Sequence, residues 1–323
     1  MDLVWAVDFG GTGVKLGLVD REGRIHARGG FPTKEASDPV SWIRRVCREL
    51  RGLKPGPTVP GDVRIAGVGV GAPGFMDFER GFVHTLVNVR GWDGVPLRDE
   101  LVRHLGVPAV IDNDANAMAL GEVRHGAGRG RRNVVFATLG TGIGGGLYLN
   151  GQIYRGAYSM AGEIGHVSID WEGRTTRQGQ GGVEAYVGNR PFVQYAVDRI
   201  RAGEASRMAD LHGGRLENLT PKDISDAADA GDALALACFE YMADALGAAL
   251  ASLTYVLQPE VFVVGGGVAS AGAKLFDPLI RELRARLDPL FAERVAVVPA
   301  QLGPDAGLIG AGELVWNAGG TPV

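Results

Sequence analysis

The chain has 323 residues, of which 46% are hydrophobic and 22% are charged, and its formal net charge at pH 7 is -4. This composition excludes an intrinsically disordered chain and disfavours a broad polyanion-binding surface, so nucleic acid is not expected as a partner. Because the length exceeds what one hydrophobic core serves comfortably, two globular lobes are expected.

The cysteine usage and the apolar stretches indicate a cellular location. Cys47 and Cys238 lie far apart in apolar helical patterns, so neither a disulfide framework nor a cysteine-ligated zinc site is expected, and a reducing cytoplasmic location is predicted. The N-terminus lacks a basic region, so no signal peptide is predicted. The long apolar stretch Asp232–Leu257 carries Glu240 and Asp244, which favours a buried helix over a membrane span, and no membrane partner is expected.

Strands and helices are predicted to alternate along the chain. Apolar, β-branched runs predict strands at Leu3–Val7, Val14–Val19, Val63–Val70, Ala109–Ile111, Val134–Thr138, Gly146–Leu149 and in "EVFVVGGG". Helical periodicity follows Asp38-Pro39 and recurs at Pro96–Leu105, Ala115–Val123, Asp232–Leu257 and Phe276–Leu287. This alternation indicates an α/β fold, with the Gly/Arg-rich residues 124–133 as a flexible connection between the lobes.

Two glycine- and threonine-rich turns share one plan, since "VDFGGTGVKLGLV" and "ATLGTGIGGGLYL" both place such a turn between two apolar runs. Glycines leave backbone N–H groups uncovered, which suits phosphate oxygens. The alternative is two ordinary tight hairpins, and neither turn has the spacing of a P-loop. The candidate phosphate-binding residues are Gly10, Gly11, Thr12, Gly13, Gly140, Thr141, Gly142 and Gly144.

Asp8 stands directly before the first of these turns. A carboxylate repels phosphate unless a divalent cation intervenes, so this position predicts a Mg²⁺ ion bridged to phosphoryl oxygens, directly or through water. The alternative is that Asp8 caps the turn backbone.

A cluster of Asp and Asn residues follows a predicted strand in "VIDNDANAMALGE". The carboxyl end of a strand is where an open α/β sheet binds ligands, and these side chains suit vicinal hydroxyls. One carboxylate could accept the proton of an attacking alcohol, while a helix N-cap would need a single residue of the four. The four residues are Asp112, Asn113, Asp114 and Asn116.

These segments, together with "GVGVGAPGFMD", "NVRGWDGVPL", "AGEIGH", "VVGGGV" and "GPDAGLIGAG", resemble in their order the ROK family of sugar kinases and repressors. The resemblance implies a two-lobed actin-like ATPase (ribonuclease H-like) fold with a ligand cleft between the lobes. The expected N-terminal lobe spans residues 1–120 and is completed by a helix at 304–318, and the second lobe spans 121–303.

The resemblance also implies residue roles. Asp114 corresponds to the catalytic base and Asp112 to its structural partner. The implied sugar-binding residues are Asn88, Asn113, Asp114, Glu163, His166 and Glu184. The nucleotide is expected at Asp8, Gly10–Thr12, Lys15, Gly140–Gly142 and Gly265–Gly267, with Asp8 on the Mg²⁺ side.

His166 corresponds to a histidine that, in zinc-bearing members of the family, joins three cysteines located shortly downstream. This chain reads "TTRQGQGGVEAYVG" there, with Thr176, Gln178 and Gly182 nearest to the cysteine positions. A lone imidazole is a poor structural zinc site, so no zinc is expected. His166 is then interpreted as a sugar-hydroxyl partner or a loop-packing residue.

The implied activity is ATP-dependent phosphorylation of a hexose, first of all glucose to glucose 6-phosphate, in a homodimer. Alternatives are a kinase of N-acetylmannosamine, N-acetylglucosamine or kanosamine, and a polyphosphate glucokinase, which Gly13-Val14-Lys15 resembles. A non-catalytic sugar sensor is the alternative of another class, whereas a repressor is disfavoured because seven residues precede Asp8. Trp92, Tyr154 and Tyr158 fit either sugar stacking or ordinary packing.

Overall fold

The computed structural model describes residues 1–36, 38–56, 62–87, 89, 91–176 and 179–317. Contacts divide the chain into two compact units. Unit 1 contains Met1–Phe136, Gly146–Gly162 and Gln301–Val323, and unit 2 contains Ala137–Gly145 and Glu163–Ala300. The lobe boundaries expected near residues 120 and 303 stay a prediction.

Strands and helices alternate through most of the chain. The strands are β1 Asp2–Phe9, β2 Gly13–Val19, β3 Ile25–Pro32, β4 Arg64–Ala72, β5 Gly74–Asp77, β6 Phe82–Leu86, β7 Ala109–Asn113, β8 Val134–Leu139, β9 Ile143–Leu149, β10 Gln152–Ile153, β11 Thr175–Thr176, β12 Gly179–Gln180, β13 Val261–Gly265 and β14 Ala296–Pro299. The helices are α1 Pro39–Gly52, α2 Leu97–Leu105, α3 Asp114–His125, α4 Glu184–Val187, α5 Asn189–Arg201, α6 Pro221–Asp229, α7 Ala233–Leu257, α8 Ala273–Ala285, α9 Pro289–Ala292 and α10 Ala306–Asn317.

The first sheet has the strand order β3-β2-β1-β4-β7. β1 and β2 form an antiparallel hairpin, whereas β1, β4 and β7 run parallel. The register pairs Asp8 with Gly71 and Gly71 with Asp112. Asp8 and Asp112 therefore lie in one row near the carboxyl ends of β1 and β7, with a glycine between them.

Both faces of β1 are covered, because successive residues of a strand point to opposite faces. Phe9 belongs to the same hydrophobic cluster as Trp42 of α1. Ala6 belongs to a second cluster with Ala311 of α10. The sheet is thus covered by α1 on one face and by α10 on the other.

α10 lies unusually close to its neighbours because glycines line the contact. A Cβ atom added at Gly69 of β4 would lie 1.7 Å from the carbonyl oxygen of Ala311, and one added at Gly310 would lie 1.8 Å from that of Ala117 in α3. Such distances are far below van der Waals contact, so only glycine permits this packing.

The second sheet has the order β10-β9-β8-β13-β14, and β13 and β14 are parallel. In unit 2, α7 begins at its N-cap Asp232, whose side chain accepts a hydrogen bond from the Ala235 N–H, and packs against α8. Within the described part of the chain, α7 alone is long and apolar enough to cross a membrane, but 61% of its most apolar window is buried. Such burial is typical of a core helix.

Most predicted elements are confirmed, with shifted ends. The predicted helix Phe276–Leu287 begins earlier, at Ala273, and ends at Ala285. β3, the β5–β6 hairpin, α5 and α6 were not predicted. β3, for example, has the sequence "IHARGGFP", in which most residues are partly or fully exposed, so it carries little hydrophobic alternation.

Trp92 is a core residue, which decides between its two interpretations. It is 1% exposed, and its ring centroid lies 5.2 Å from that of Phe9 and 5.3 Å from that of Trp42. Phe9 and Trp42 stack at 4.7 Å. These three rings form one aromatic cluster beneath the first glycine-rich turn.

Trp42→Ala is expected to lower the free energy of unfolding by about 3–5 kcal/mol, because it leaves a cavity among packed rings. The matched control is Val40→Ala on the same helix, where the side chain is 58% exposed and the change should stay within about 0.5 kcal/mol. Urea unfolding of both variants measures this, and similar losses for the two would contradict the assigned cluster.

Candidate active site

The first glycine-rich turn connects β1 to β2 and is held from one side. The Gly10 N–H donates to the Gly13 carbonyl at 2.9 Å. Thr33 donates to the carbonyls of Gly10 and Thr12, at 2.7 and 3.1 Å. No atom lies within 4 Å of a Cβ built at Gly11. The turn is therefore anchored through its carbonyls and open around Gly11, as a phosphate-binding turn requires.

Asp8 lies at the end of β1 and is 6% exposed. Its Oδ2 is 3.1 Å from the Lys15 ammonium, which also donates to the Pro304 carbonyl at 3.0 Å. Gly307 of α10 approaches so closely that an added Cβ would lie 2.5 Å from the Asp8 carboxyl carbon. Asp8 is thus a fixed, charge-paired carboxylate beside the first turn.

The donor set around Asp8 fits Mg²⁺ bound mainly through phosphate and water. In the described part of the chain, no three His, Cys, Asp or Glu side chains converge on one point. Mg²⁺ is commonly held by one or two carboxylates together with substrate phosphates and waters. A single carboxylate beside an open glycine turn matches that pattern.

The end of β7 and the start of α3 carry the Asp/Asn cluster. The Asn113 Oδ1 caps α3 by accepting from the Ala115 and Asn116 N–H groups, and its Nδ2 donates to the Gly74 carbonyl at 3.2 Å. Asn113 therefore performs the N-cap role considered for this cluster. Asp114, at the first position of α3, is partly buried and accepts from the Ala115 N–H at 2.9 Å.

Asp112 is 2% exposed, and both of its oxygens are used. Oδ1 accepts from the Asn113 N–H and from the Asn116 Nδ2, and Oδ2 accepts from Arg155. Because all of these partners belong to the protein, Asp112 has the contacts of a structural carboxylate. Arg155 was not anticipated from the sequence.

The second glycine-rich turn lies in unit 2 between β8 and β9. The Gly140 N–H donates to the Gly142 carbonyl at 3.0 Å, and no atom lies within 4 Å of a Cβ built at Gly140. Glu184 braces the other side, since its Oε2 accepts from the Ile143 N–H at 2.8 Å and would clash with any side chain at Gly142. The two turns share an open glycine and an anchored flank.

Glu163 and His166 lie in one loop of unit 2, with the His166 Nε2 3.8 Å from the Glu163 Oε2. Partial burial raises the pKa of the Glu163 carboxyl, His166 lowers it, and the Glu184 carboxylate raises it further. The net result is a raised pKa, so this carboxyl takes up a proton at a higher pH than a free glutamate does.

The segment that carries zinc cysteines in some ROK proteins forms a small hairpin here, β11 paired with β12. The Tyr186 hydroxyl accepts from the Arg174 N–H at 3.0 Å, and the Arg174 guanidinium lies 4.8 Å from the ring centroid of Tyr186. Arg174 also donates to the Ala185 carbonyl at 2.9 Å. These contacts tie the hairpin to α4, which carries Glu184.

A cavity of about 480 Å³ lies beyond the end of β13 in unit 2. Its lining includes Asn189, Lys222, Asp226, Phe239, Gly267 and Ser270. The Oδ1 of Asn189 is buried and has no hydrogen-bond partner among the described residues. The cavity size suits a small organic ligand.

A model of the ROK family matches residues 4–318. The chain belongs to the ROK family. It is 38% identical over 315 residues to a glucokinase of Halalkalibacterium halodurans, covering 96% of this chain and 93% of that protein. It is 35% identical over 318 residues to a glucokinase of Streptomyces coelicolor, covering 97% and 98%.

The crystal structure of a ROK family glucokinase from Streptomyces griseus, in complex with glucose and AMPPNP, superposes with a TM-score of 0.80. It is 36% identical and the match covers 97% of this chain and 98% of that one. The family resemblance and the actin-like ATPase fold inferred from the motifs are confirmed.

The site residues implied by the ROK resemblance divide between the two units. Unit 1 carries Asp8, Gly10–Thr12, Lys15, Asn113 and Asp114, and unit 2 carries Gly140–Gly142, Glu163, His166, Glu184 and Gly265–Gly267. Asn88 and Gln178 lie outside the described residues. The sequence did not reveal the contacts made by Arg155, Asn189 and Tyr186, since nothing in the local sequence of these residues marks them.

Gly266→Ala and Gly267→Ala are expected to separate folding from ligand binding. Gly266 has a φ of +89° and an added Cβ would lie 2.1 Å from the Leu139 carbonyl oxygen, so alanine should cost more than about 1 kcal/mol of stability. Gly267 has a φ of -60° and open space around it, so alanine there should leave stability unchanged and weaken AMPPNP binding.

Urea unfolding and calorimetric titration with AMPPNP measure the two effects. Equal stabilities for the two variants would contradict the backbone geometry, and unchanged AMPPNP affinity in Gly267→Ala would contradict the place given to the nucleotide.

Proposed function

We propose that this protein, a sugar kinase of the ROK family, transfers the γ-phosphoryl group of MgATP to the 6-hydroxyl of glucose. The observation that carries the proposal is the pair of anchored glycine-rich turns, each open at one glycine, Gly11 and Gly140. Supporting it, the Streptomyces griseus relative was crystallised with glucose and an ATP analogue.

Catalysis in this proposal rests on positioning and charge neutralisation, as is usual for phosphoryl transfer. Asp114 accepts the proton of the sugar hydroxyl as that oxygen attacks the γ-phosphorus in line, and the terminal bond to the β-phosphate oxygen breaks. The backbone N–H groups of both turns hold the phosphates. Asp8 would hold Mg²⁺, which supplies neutralisation of phosphate charge when bound.

The ROK resemblance implies that Asn113, Glu163, His166 and Glu184, together with Asn88, bind the sugar. Their chemistry fits that role, because carboxylates accept hydrogen bonds from hydroxyls and amides donate to and accept from them. Glu163 binds hydroxyls best when ionised. Because the pKa of Glu163 is raised, sugar binding is expected to weaken at a higher pH than it would with an ordinary glutamate at this position.

The nucleoside is assigned to the cavity beyond β13. Gly267 leaves room there, and Asn189 lines the cavity. The Asn189 N–H also donates to the Gly140 carbonyl at 2.9 Å, which connects this cavity to the second phosphate turn. One contiguous surface of unit 2 thus suits both nucleoside and phosphate.

Asp114→Asn is expected to lower kcat by about 10²- to 10⁴-fold with an unchanged melting temperature, because it removes the base and little volume. ADP release is measured across glucose, mannose, fructose, N-acetylmannosamine, N-acetylglucosamine and kanosamine. Asp99→Asn, with a side chain 75% exposed on α2, is the matched control and should keep full activity.

The sugar panel distinguishes three outcomes. Faster turnover of glucose than of the other sugars supports the proposal. A preference for an amino or N-acetylamino hexose would make that hexose, instead of glucose, the substrate. Sugar binding without turnover in the wild type would leave a sensor instead of a kinase.

Polyphosphate is the second candidate donor, because Lys15 is half exposed beside Asp8 and the first turn and can reach a long polyanion. A parallel arm with polyphosphate in place of ATP, scored as sugar phosphate formed, decides between the donors. Turnover with polyphosphate and none with ATP would overturn the ATP assignment.

Asn189→Ala is expected to raise KM for ATP about tenfold and to leave KM for glucose unchanged, because it removes a side chain that lines the proposed nucleoside cavity. Initial-rate kinetics at saturating glucose and then at saturating ATP measure the two constants. A rise in KM for glucose alone would contradict the assignment of the cavity.

The cytoplasmic location and the homodimer complete the proposal. Sedimentation velocity of the purified protein tests the second, and a single species with the mass of one chain would overturn it.

A further inference from the structure

Arg155 holds the buried carboxylate that precedes the proposed catalytic base. It follows β10 in unit 1, and its Nε and terminal N–H groups lie 2.9 and 2.7 Å from the Asp112 Oδ2. Its guanidinium stacks on the Phe78 ring, 3.5 Å from the centroid. The side chain is 22% exposed, whereas that of Asp112 is 3% exposed. Arg155 is thus a fixed cation beside a nearly dry carboxylate.

The remaining contacts of Asp112 define the loop that leads into α3. Its Oδ1 accepts from the Asn113 N–H at 2.8 Å and from the Asn116 Nδ2 at 3.0 Å. These bonds connect Asp112, the second-last residue of β7, with the first turn of α3. Asp114 lies between the two donors, so the position of Asp112 determines where the Asp114 carboxylate stands.

We propose that Arg155 is a positioning residue for phosphoryl transfer, which acts by neutralising Asp112 and fixing it so that Asp114 is held in place and in its ionised form. This inference rests on the proposed function. Without Arg155, the Asp112 carboxylate would be an uncompensated charge close to Asp114, and a like charge disfavours ionisation of its neighbour.

No other cation among the described contacts of Asp112 takes over this task. The titratable side chains on the elements packed against β7 have other partners. On α2, Arg98 pairs with Asp99, and Glu100 contacts Arg103 and His104. On α3, Arg124 and His125 contact Glu313 of α10, and Glu122 accepts from the backbone N–H groups of Gln301 and Leu302. Asp77 of β5 accepts from the Arg80 N–H, and Arg64 of β4 pairs with Asp2. Asp8 lies in the same row of the sheet but is paired with Lys15.

The arrangement requires arginine specifically. Two nitrogens of one guanidinium, Nε and a terminal nitrogen, lie 2.9 and 2.7 Å from the same carboxylate oxygen, and the guanidinium lies over the Phe78 ring. A lysine ammonium would keep the charge but lose the planar stacking and the second fixed donor. Charge and geometry can therefore be separated by substitution.

The test measures kcat and kcat/KM against pH for the wild type, Arg155→Met, Arg155→Lys, Asp112→Asn and the double variant Asp112→Asn/Arg155→Met. Arg155→Met is expected to lower kcat about 10²-fold with little change in KM for glucose, because the base is displaced. Its acidic limb in kcat/KM is expected to move about one pH unit upward.

Removing the charge of Asp112 should reverse that shift. In the double variant the acidic limb is expected to return to the wild-type position, and kcat is expected to recover at least partly. Arg155→Lys should keep the wild-type acidic limb while lowering kcat, because it retains the charge. Arg48→Met, on an arginine whose side chain is 72% exposed on α1, is the control and should match the wild type.

The inference is overturned if the wild type is active, Arg155→Met keeps the wild-type acidic limb, and the double variant is no more active than Arg155→Met. Arg155 would then be a residue that only supports folding. If Arg155→Met does not fold, a shifted acidic limb in Arg155→Lys overturns it as well. Absence of turnover in the wild type overturns the proposed function and this inference together.

Discussion

Unit 1 depends on direct backbone contact between α10 and the elements it covers. Gly69 and Gly310 allow that contact, because any side chain at either position would overlap a carbonyl oxygen. α3, which begins at Asp114, is packed against α10, and Gly307 of α10 touches the Asp8 carboxylate. α10 therefore sets the positions of both Asp8, beside the first glycine-rich turn, and the start of α3, where the proposed base Asp114 lies.

Electrostatics explain how several carboxylates can lie near the turn that is proposed to bind the phosphates of the nucleotide. Asp8 and Asp112 occupy one row of the sheet, separated by Gly71, and each has its own cation, Lys15 and Arg155. A buried carboxylate without such a partner would shift its pKa or destabilise the fold. Paired in this way, the two add little negative charge, which is consistent with the proposal that Asp114 is the base.

The sequence predicted features that depend on local patterns and missed those that depend on distant contacts. Gly10–Thr12 and the Asp/Asn cluster that follows β7 could be predicted as candidate site residues because turn glycines and polar residues after a strand are local signals. The choice of Asp114 within that cluster rested on the family resemblance. Arg155 lies 43 residues from its partner Asp112 and its local sequence is that of any surface arginine. Asn189 is marked only by its burial beside a cavity. Trp92 fitted two interpretations until its ring neighbours were known.

In the proposed mechanism, Asp114 receives the proton of a hexose hydroxyl while the nucleotide lies on the glycine-rich turns. A crystal structure of the protein with glucose, AMPPNP and Mg²⁺ would decide this. An Asp114 oxygen is expected about 2.6–3.2 Å from the sugar 6-hydroxyl, with the nucleoside beside Asn189. Glucose bound with that hydroxyl away from Asp114, or a nucleotide outside the cavity beyond β13, would contradict it.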